Sequence, residues 1–175
     1  MEIILIRHTS VNVPKGTCYG WTDVPVNDTF EEEAEITKRN LEPYTFDAVY
    51  SSPLTRARML AEYCGYPSPV VDERVKELNM GDWEMRLFDE IDDDNLQRWY
   101  DDYMHVAPTG GESFRMLYAR VASFLDELKT KHYKTVAVFA HGGVLMCAGI
   151  YGGLFSEKDC MKHLVPFGGI QKIEI

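Results

Sequence analysis

Three short runs of apolar, mostly β-branched residues stand out along the chain, at 3–6, 46–51 and 135–140. Continuous apolar runs of this length are typical of strands that are buried on both faces of a sheet. The segment 168–175 alternates apolar and polar residues instead. That alternation predicts a half-exposed strand at an edge of the same sheet.

Between these runs, apolar residues recur at helical spacing in the segments 30–41, 57–64 and 114–128. Pro53 precedes the second of them and is expected in the first turn of its helix. The third has the clearest period and ends in basic residues, which a helix C-terminus favours. Residues 87–103 also predict a helix, and the acidic run within 89–94 (Asp89, Glu90, Asp92, Asp93 and Asp94) is expected to form a solvated face.

Strands that alternate with helices predict an α/β fold. We expect a three-layer α/β/α sandwich, in which a mainly parallel central sheet carries helices on both faces. No internal repeat or low-complexity linker interrupts the 175 residues. Chains divide into several domains only beyond about 250–300 residues, so residues 1–175 are expected to form one domain.

Composition narrows the classes of partner. The chain has 18 basic and 28 acidic residues, a formal net charge of −10, which argues against a nucleic-acid or anionic-membrane surface. Its apolar content of 45% excludes intrinsic disorder, and no run approaches the ~20 apolar residues of a membrane span.

The expected location is the cytoplasm. The N-terminus lacks the basic start and small-residue cleavage site of a signal peptide. The four cysteines, at positions 18, 64, 147 and 160, form no CxxC pair and are expected to be free thiols in a reducing compartment. Nothing in the sequence indicates the oligomeric state.

Basic side chains follow each of the three apolar strands. Arg7 and His8 follow the first, Arg56 the second, and His141 the third, directly before Gly142-Gly143. Each alone has an ordinary structural role, but ligands of such sheets bind at the carboxyl ends of the strands. Two arginines beside two histidines repel one another unless an anion lies between them. Guanidinium forks and helix N-terminal amides both suit phosphate, so a phosphate site is predicted.

The absence of several motifs excludes other classes of phosphate chemistry at that site. There is no GxxxxGK[ST] loop, no CxxxxxR signature and no clustered set of residues for two metals. A histidine is the nucleophile that remains, since imidazole can form a covalent phospho-intermediate. The loop 77–84 offers a general acid, because its apolar and aromatic neighbours can raise the pKa of a carboxyl group.

These residues also resemble those of a known family, the histidine phosphatase superfamily of phosphoglycerate-mutase-like proteins. The matching blocks are, in chain order, 5–9 (LIRHT), 19–26 (YGWTDVPV), 51–57 (SSPLTRA), 77–84 (ELNMGDWE), 110–113 (GGES) and 140–143 (AHGG). The chain departs from the common pattern at Thr9, Phe30 and Met85, where glycine or alanine is usual. None of these departures removes a catalytic group.

The resemblance implies a role for each residue. His8 becomes the phosphorylated nucleophile and Glu77 the proton donor, with Glu84 as the rival acid and otherwise an exposed loop carboxylate. The phosphoryl group is bound by Arg7, Arg56 and His141. Further phosphate contacts are expected from the Gly142 amide and from Ser10 or Asn12. No metal or cofactor is expected.

The residue Thr9 and the segment 18–23 resemble the α-ribazole phosphatase branch of that superfamily. This implies a small phosphomonoester partner, α-ribazole 5′-phosphate of cobalamin nucleotide-loop assembly. Specificity is expected in the segments 12–22 and 86–108, and the candidate substrate-binding residues are Tyr19, Gly20, Thr22 and Trp83. Trp83 and the aromatic residues of 88–103 stack on a base or bury a helix, and the second role is more usual at helical spacing.

Three alternatives remain open. A sugar-phosphate or phosphoglycerate phosphatase or mutase would use the same pocket, although a mutase needs extra polypeptide over its substrate. The short segment 85–109 and the end of the chain after the last strand favour hydrolysis. A zinc hydrolase using both histidines is disfavoured by two arginines that repel a dication. A non-catalytic phosphoprotein-binding module is disfavoured by the complete set of reactive groups.

Overall fold

The computed structural model describes residues 1–175, and its centre is a mixed five-stranded sheet with the strand order β3-β2-β4-β1-β5. All neighbouring strands are parallel except β5, which runs antiparallel to β1 at the edge. The strands are β1 (Glu2–Arg7), β2 (Ala48–Ser51), β3 (Val70–Val71), β4 (Thr135–Ala140) and β5 (Ile170–Glu174). The predicted mainly parallel sheet, with one half-exposed edge strand, is confirmed.

Helices cover both faces of the sheet, as the α/β/α prediction requires. They are α1 (Phe30–Leu41), α2 (Thr55–Tyr63), α3 (Asn95–Asp101), α4 (Phe114–Lys129) and α5 (Gly142–Tyr151). The α4 and α5 helices pack on one face and α1 and α2 on the other. None of the helices combines the length and apolar character that a bilayer crossing requires.

The continuous apolar run of β1 is explained by these two layers. Successive side chains of a strand point to opposite faces. Ile3 and Leu5 therefore join the core under α4 and α5, whereas Ile4 and Ile6 join the core under α1 and α2. The four side chains are at most 1% exposed.

The register of the parallel strands sets where the functional residues meet. Arg7 lies opposite Ala140 in the β1–β4 pair, and Ser51 lies opposite Phe139 in the β2–β4 pair. The residues that follow β1, β2 and β4 therefore emerge at one edge of the sheet. This is the edge at which the sequence predicts a phosphate site.

The expectation of one helix over 87–103 is wrong. Only α3 is α-helical there, preceded by a single 3-10 turn at Phe88–Glu90. Asp93 separates the two, because its carboxylate accepts from the backbone N of Asn95 (2.8 Å) and from Trp83 Nε1 (2.7 Å). Such local side-chain bonds compete with helix formation. The other four acidic residues of the run are exposed, as expected.

The structure also differs from the sequence prediction at Pro53 and at β3. Pro53 lies outside α2, which begins at Thr55 after an extended Leu54 whose N–H donates to Ser52 Oγ. The two-residue strand β3 has no counterpart in the sequence analysis. Both of its valines are exposed, so no burial pattern marks it.

The packing of α4 generates a test of the core. We expect Leu125→Ala to lower the free energy of unfolding by about 2–5 kcal/mol, because Leu125 is fully buried and the truncation leaves a cavity. Met116 lies on the same helix and is 54% exposed, so Met116→Ala should change it by less than about 0.5 kcal/mol. Urea denaturation of both variants measures these changes; equal effects would contradict the assigned core face of α4.

Candidate active site

His8 directly follows β1 and is only 2% exposed. Its Nδ1 lies 2.7 Å from the carbonyl oxygen of Thr9, and a carbonyl only accepts hydrogen bonds. We therefore assign the ring proton to Nδ1, which leaves the Nε2 lone pair free. Burial, followed by the charge of Arg56, lowers the pKa of His8 to about 3, so the ring is neutral near pH 7.

His141 follows β4, is fully buried, and its ring centroid lies 5.2 Å from that of His8. Its Nε2 is 2.7 Å from Ser52 Oγ, which also accepts from the backbone N of Leu54. Nε2 is the one acceptor within hydrogen-bond distance of the Ser52 hydroxyl, so we assign that hydroxyl as the donor and place the His141 ring proton on Nδ1. Burial and then the charge of Arg56 hold the pKa of His141 well below its ordinary value.

The two guanidinium groups are held by backbone carbonyls. Arg56 is fully buried and donates from Nη2 to the carbonyl of Gly20 (2.6 Å) and from Nη1 to that of Thr22 (2.9 Å). Arg7 donates from Nη1 to the carbonyl of Val165 (2.6 Å). Burial lowers the pKa of both arginines below its ordinary value.

Three N–H groups in this cluster are buried without an acceptor: Arg7 Nε, Arg56 Nε and His141 Nδ1. The hydroxyl of Thr9 beside them is also unpaired. A buried polar group without a partner costs about 1–3 kcal/mol, so native structures rarely keep several together. An oxyanion bound next to His8 would supply the missing acceptors.

Glu77 contributes the carboxylate of the site. Its Oε2 accepts from the backbone N of Gly143 at 3.1 Å, and its Oε1 accepts from the backbone N of Leu78 at 2.9 Å. A Cβ added at Gly143 would lie 2.3 Å from Glu77 Oε1, so only glycine leaves room for this carboxylate. The backbone carbonyl of Glu77 accepts from Trp21 Nε1 and Arg120 Nη2.

Glu84 is a structural carboxylate, and its interpretation as an exposed loop residue is wrong. It is partly buried and accepts from the backbone N of Gly20 (3.0 Å), Trp21 (2.7 Å) and Met80 (3.2 Å) and from Thr22 Oγ1 (2.8 Å). These donors occupy both of its oxygens. Glu84 thereby fixes the loop that holds Arg56. It does not line the cavity beside His8, whereas Glu77 does.

Some candidate residues lie away from the reactive groups. The Ser10 hydroxyl donates to Glu33 Oε2 (2.7 Å) and accepts from Asn27 Nδ2 (2.8 Å), so its polar atoms are used within the loop. Asn12 is exposed, and its backbone N donates to the carbonyl of Pro25. Neither Ser10 nor Asn12 lines the cavity beside His8.

Of the four candidate substrate-binding residues, only Tyr19 lines the cavity, with its ring 5.4 Å from Arg56 Cζ. Gly20 and Thr22 lie behind it, where their carbonyls position Arg56. The proposed substrate contact of Trp83 is wrong, because Trp83 is fully buried and its Nε1 donates to Asp93.

A cavity of about 570 Å³ opens beside His8. Arg7, His8, Glu77 and Gly142–Gly143 form its polar end, and Arg56 and His141 lie behind that wall. Most of the remaining lining is apolar; its aromatic members are Tyr19, Phe88, Trp99, Tyr100, Tyr103 and Phe114. The aromatic residues of 88–103 therefore pack against one another and also face the cavity, which joins the two roles considered from the sequence.

The sequence analysis missed several lining residues. Met146 of α5 and the segment 161–164 contribute apolar side chains to the cavity without any motif that marks them. No three His, Cys, Asp or Glu side chains lie close enough together to hold a metal ion. The zinc alternative therefore lacks a ligand set.

Comparison with known proteins agrees with this geometry. Residues 3–152 match the model of the histidine phosphatase superfamily (branch 1). The chain is 33% identical over 155 residues to the adenosylcobalamin/alpha-ribazole phosphatase of Escherichia coli. That alignment covers 83% of this chain and 75% of the relative. It is 31% identical over 171 residues to a 2,3-bisphosphoglycerate-dependent phosphoglycerate mutase of Cytophaga hutchinsonii, covering 90% and 79% respectively.

Solved structures show the same fold. The crystal structure of the alpha-ribazole phosphatase from Shigella flexneri superimposes with a TM-score of 0.88 at 29% identity, covering 100% of this chain and 91% of that chain. A phosphoglycerate mutase from Thermus thermophilus gives a TM-score of 0.80 at 29% identity, over 99% and 93%. These similar proteins include both phosphatases and mutases, so the choice of an individual substrate rests on the chemistry of the cavity.

The lowered pKa of His8 generates a prediction about stability. In the unfolded chain His8 titrates near 6.5, whereas in the fold it stays neutral down to about pH 3. Its contribution is therefore fully present above pH 6.5 and is lost as the pH falls toward 3. Between pH 7 and pH 5 the free energy of unfolding of His8→Gln should fall by about 2 kcal/mol less than that of wild type.

Urea denaturation at both pH values measures this difference. His132 is exposed, so His132→Gln should keep the wild-type dependence and serves as the control. A His8→Gln variant with the wild-type dependence would contradict a neutral, buried His8.

Proposed function

Because the chain belongs to the histidine phosphatase superfamily, we propose that it hydrolyses phosphomonoesters through a phosphohistidine intermediate on His8. One observation carries the proposal: His8, whose Nδ1 contacts the Thr9 carbonyl, lies in a cluster where Arg7 Nε, Arg56 Nε and His141 Nδ1 are buried without hydrogen-bond partners. With the tautomer assigned above, Nε2 of His8 is left free. A bare imidazole nitrogen is the nucleophile that phosphoryl transfer needs, and the donors suit the oxygens of the transferred group.

In the first half-reaction, His8 Nε2 attacks phosphorus and the bond from phosphorus to the ester oxygen breaks. Glu77, in its protonated form, gives its proton to the leaving oxygen and becomes a carboxylate. Arg7, Arg56 and His141 donate hydrogen bonds to the phosphoryl oxygens. Their positions are fixed before substrate binds, and such positioning supplies most of the catalysis in phosphoryl transfer.

In the second half-reaction, water attacks the phosphorus of phosphohistidine. The Glu77 carboxylate accepts a proton from that water, the phosphorus–nitrogen bond breaks, and inorganic phosphate leaves with His8 neutral again. The same donors stabilise both displacements. The proposed cycle uses no metal, because the charge of the phosphoryl group is met by the two arginines.

We propose α-ribazole 5′-phosphate as the substrate. Two observations support this choice: the named activity of the Escherichia coli relative and the aromatic wall of the cavity. Trp99, Tyr100 and Tyr103 line the cavity and supply aromatic surface for a flat aromatic leaving group. The small polar leaving groups of phosphoglycerate or phosphoserine would leave this apolar wall unfilled.

A second candidate function is hydrolysis or mutase transfer of a small phosphomonoester. It is favoured by the similarity to the phosphoglycerate mutase above and by 28% identity over 149 residues to phosphoserine phosphatase 1 of Hydrogenobacter thermophilus. Release of inorganic phosphate from 3-phosphoglycerate without isomerisation would separate a phosphatase from a mutase.

The chemical step is tested at His8. We expect His8→Ala to lower kcat by at least ~10³-fold, because the covalent nucleophile is lost. Wild type quenched in the course of turnover should carry phosphate on His8, whereas His8→Ala should carry none. His132→Ala is the matched control and should behave as wild type. EDTA should leave wild-type turnover unchanged; inhibition reversed by added metal would contradict a metal-free cycle, and a nearly active His8→Ala would contradict the nucleophile.

The substrate is tested by comparing kcat/KM for α-ribazole 5′-phosphate, phosphoserine and 3-phosphoglycerate. We expect the first to be preferred, because only its leaving group fills the aromatic wall. Trp99→Leu should lower kcat/KM for α-ribazole 5′-phosphate by about 10-fold and that for phosphoserine by less than about 3-fold, since an aromatic stacking pair contributes up to about 1.5 kcal/mol. Preference for a small substrate, or an equal loss for both, would favour the second candidate function.

A further inference from the structure

Phe167 lies against the reactive cluster, although no motif includes it. Its ring centroid is 4.0 Å from Arg7 Cζ and 5.5 Å from the His8 ring centroid. The side chain is 40% exposed, so it is not a core residue. It therefore covers the solvent side of Arg7 and His8 rather than filling the interior.

The backbone around Phe167 holds it in this place. The N–H of Gly168 donates to the carbonyl of His8 and the N–H of Arg7 donates to the carbonyl of Gly169, both at 3.0 Å. Gly168 has a φ of +69°, and a Cβ there would lie 2.8 Å from Thr37 Oγ1. Only glycine fits this turn, which ties the residue before it to the end of β1.

Arg7 has few other contacts that fix its orientation. The one hydrogen bond of its guanidinium group goes to the carbonyl of Val165, whereas the Arg56 guanidinium has two carbonyl acceptors and is fully enclosed. A guanidinium plane that stacks on an aromatic ring cannot rotate freely, and the ring face also attracts its charge. The Phe167 ring thus fixes the orientation of the Arg7 guanidinium group, as the second carbonyl fixes that of Arg56.

We infer that Phe167 is a positioning residue for phosphoryl transfer, which fixes the guanidinium plane of Arg7 beside His8 Nε2. This inference rests on the proposed function, in which Arg7 binds the phosphoryl group. Small misplacements of a catalytic group are costly, so loss of the ring should lower kcat/KM by about 10- to 100-fold. Phe167→Tyr keeps the ring face and should stay within about 3-fold of wild type, whereas Phe167→Leu keeps the bulk and should behave like Phe167→Ala.

The experiment measures kcat/KM and, separately, the Kd for inorganic phosphate by calorimetry, for wild type and these three variants. Phosphate binding should weaken in Phe167→Ala and Phe167→Leu and be kept in Phe167→Tyr. Leu154 is 51% exposed and lies outside the cavity, so Leu154→Ala is the control and should match wild type. In an Arg7→Lys background, which keeps the charge without the planar group, Phe167→Ala should weaken phosphate binding by less than about 3-fold.

The outcomes separate this inference from the proposed function. Wild type that binds phosphate but hydrolyses no phosphomonoester would overturn the proposed function, and the phosphate Kd values would still decide the role of Phe167. Phe167→Leu equal to wild type in phosphate binding, or an undiminished effect of Phe167→Ala beside Lys at position 7, would overturn the inference. Wild type that binds no phosphate would overturn both.

Discussion

The fully buried guanidinium group of Arg56 and the partly buried one of Arg7 lie beside two imidazole rings at one edge of the sheet, and the protein leaves several N–H groups of this cluster without acceptors. This arrangement costs solvation free energy that the chain does not recover by itself. It has a chemical consequence, because burial and the neighbouring cations both keep His8 and His141 neutral. The same desolvation therefore produces a nucleophilic imidazole and a place for an anion.

Much of the surrounding structure maintains this arrangement. Glu84 binds the backbone of residues 20–22, and the carbonyls of that loop hold Arg56. Arg120 donates to the carbonyls of Arg74, Lys76 and Glu77 and pairs with Glu112, so it fixes the segment that carries Glu77. These residues act on the reaction only through the groups they position.

The pattern of apolar and polar residues along the chain was sufficient to predict the sheet and its functional edge. Continuous apolar runs indicate strands buried on both faces, and the carboxyl ends of parallel strands meet at one edge. It was insufficient where a side chain has a long-range partner. The roles of Glu84, Trp83 and Ser10 depend on residues 64, 10 and 23 positions away, and neither spacing nor composition records such pairs. A short-range contact also escaped prediction. The Asp93 carboxylate accepts from the backbone N of Asn95 and interrupts a segment whose apolar spacing predicts a helix. The contact of Phe167 with Arg7 likewise joins residues at opposite ends of the chain.

In this site, an oxyanion bound to His8 satisfies the buried donors around it. A crystal structure with orthovanadate, which mimics the phosphoryl group during transfer, tests this most directly. We expect vanadium within bonding distance of His8 Nε2, with its oxygens accepting from Arg7, Arg56 and His141 Nδ1. Vanadate bound elsewhere, or bound beside His8 while these donors stay without acceptors, would contradict it.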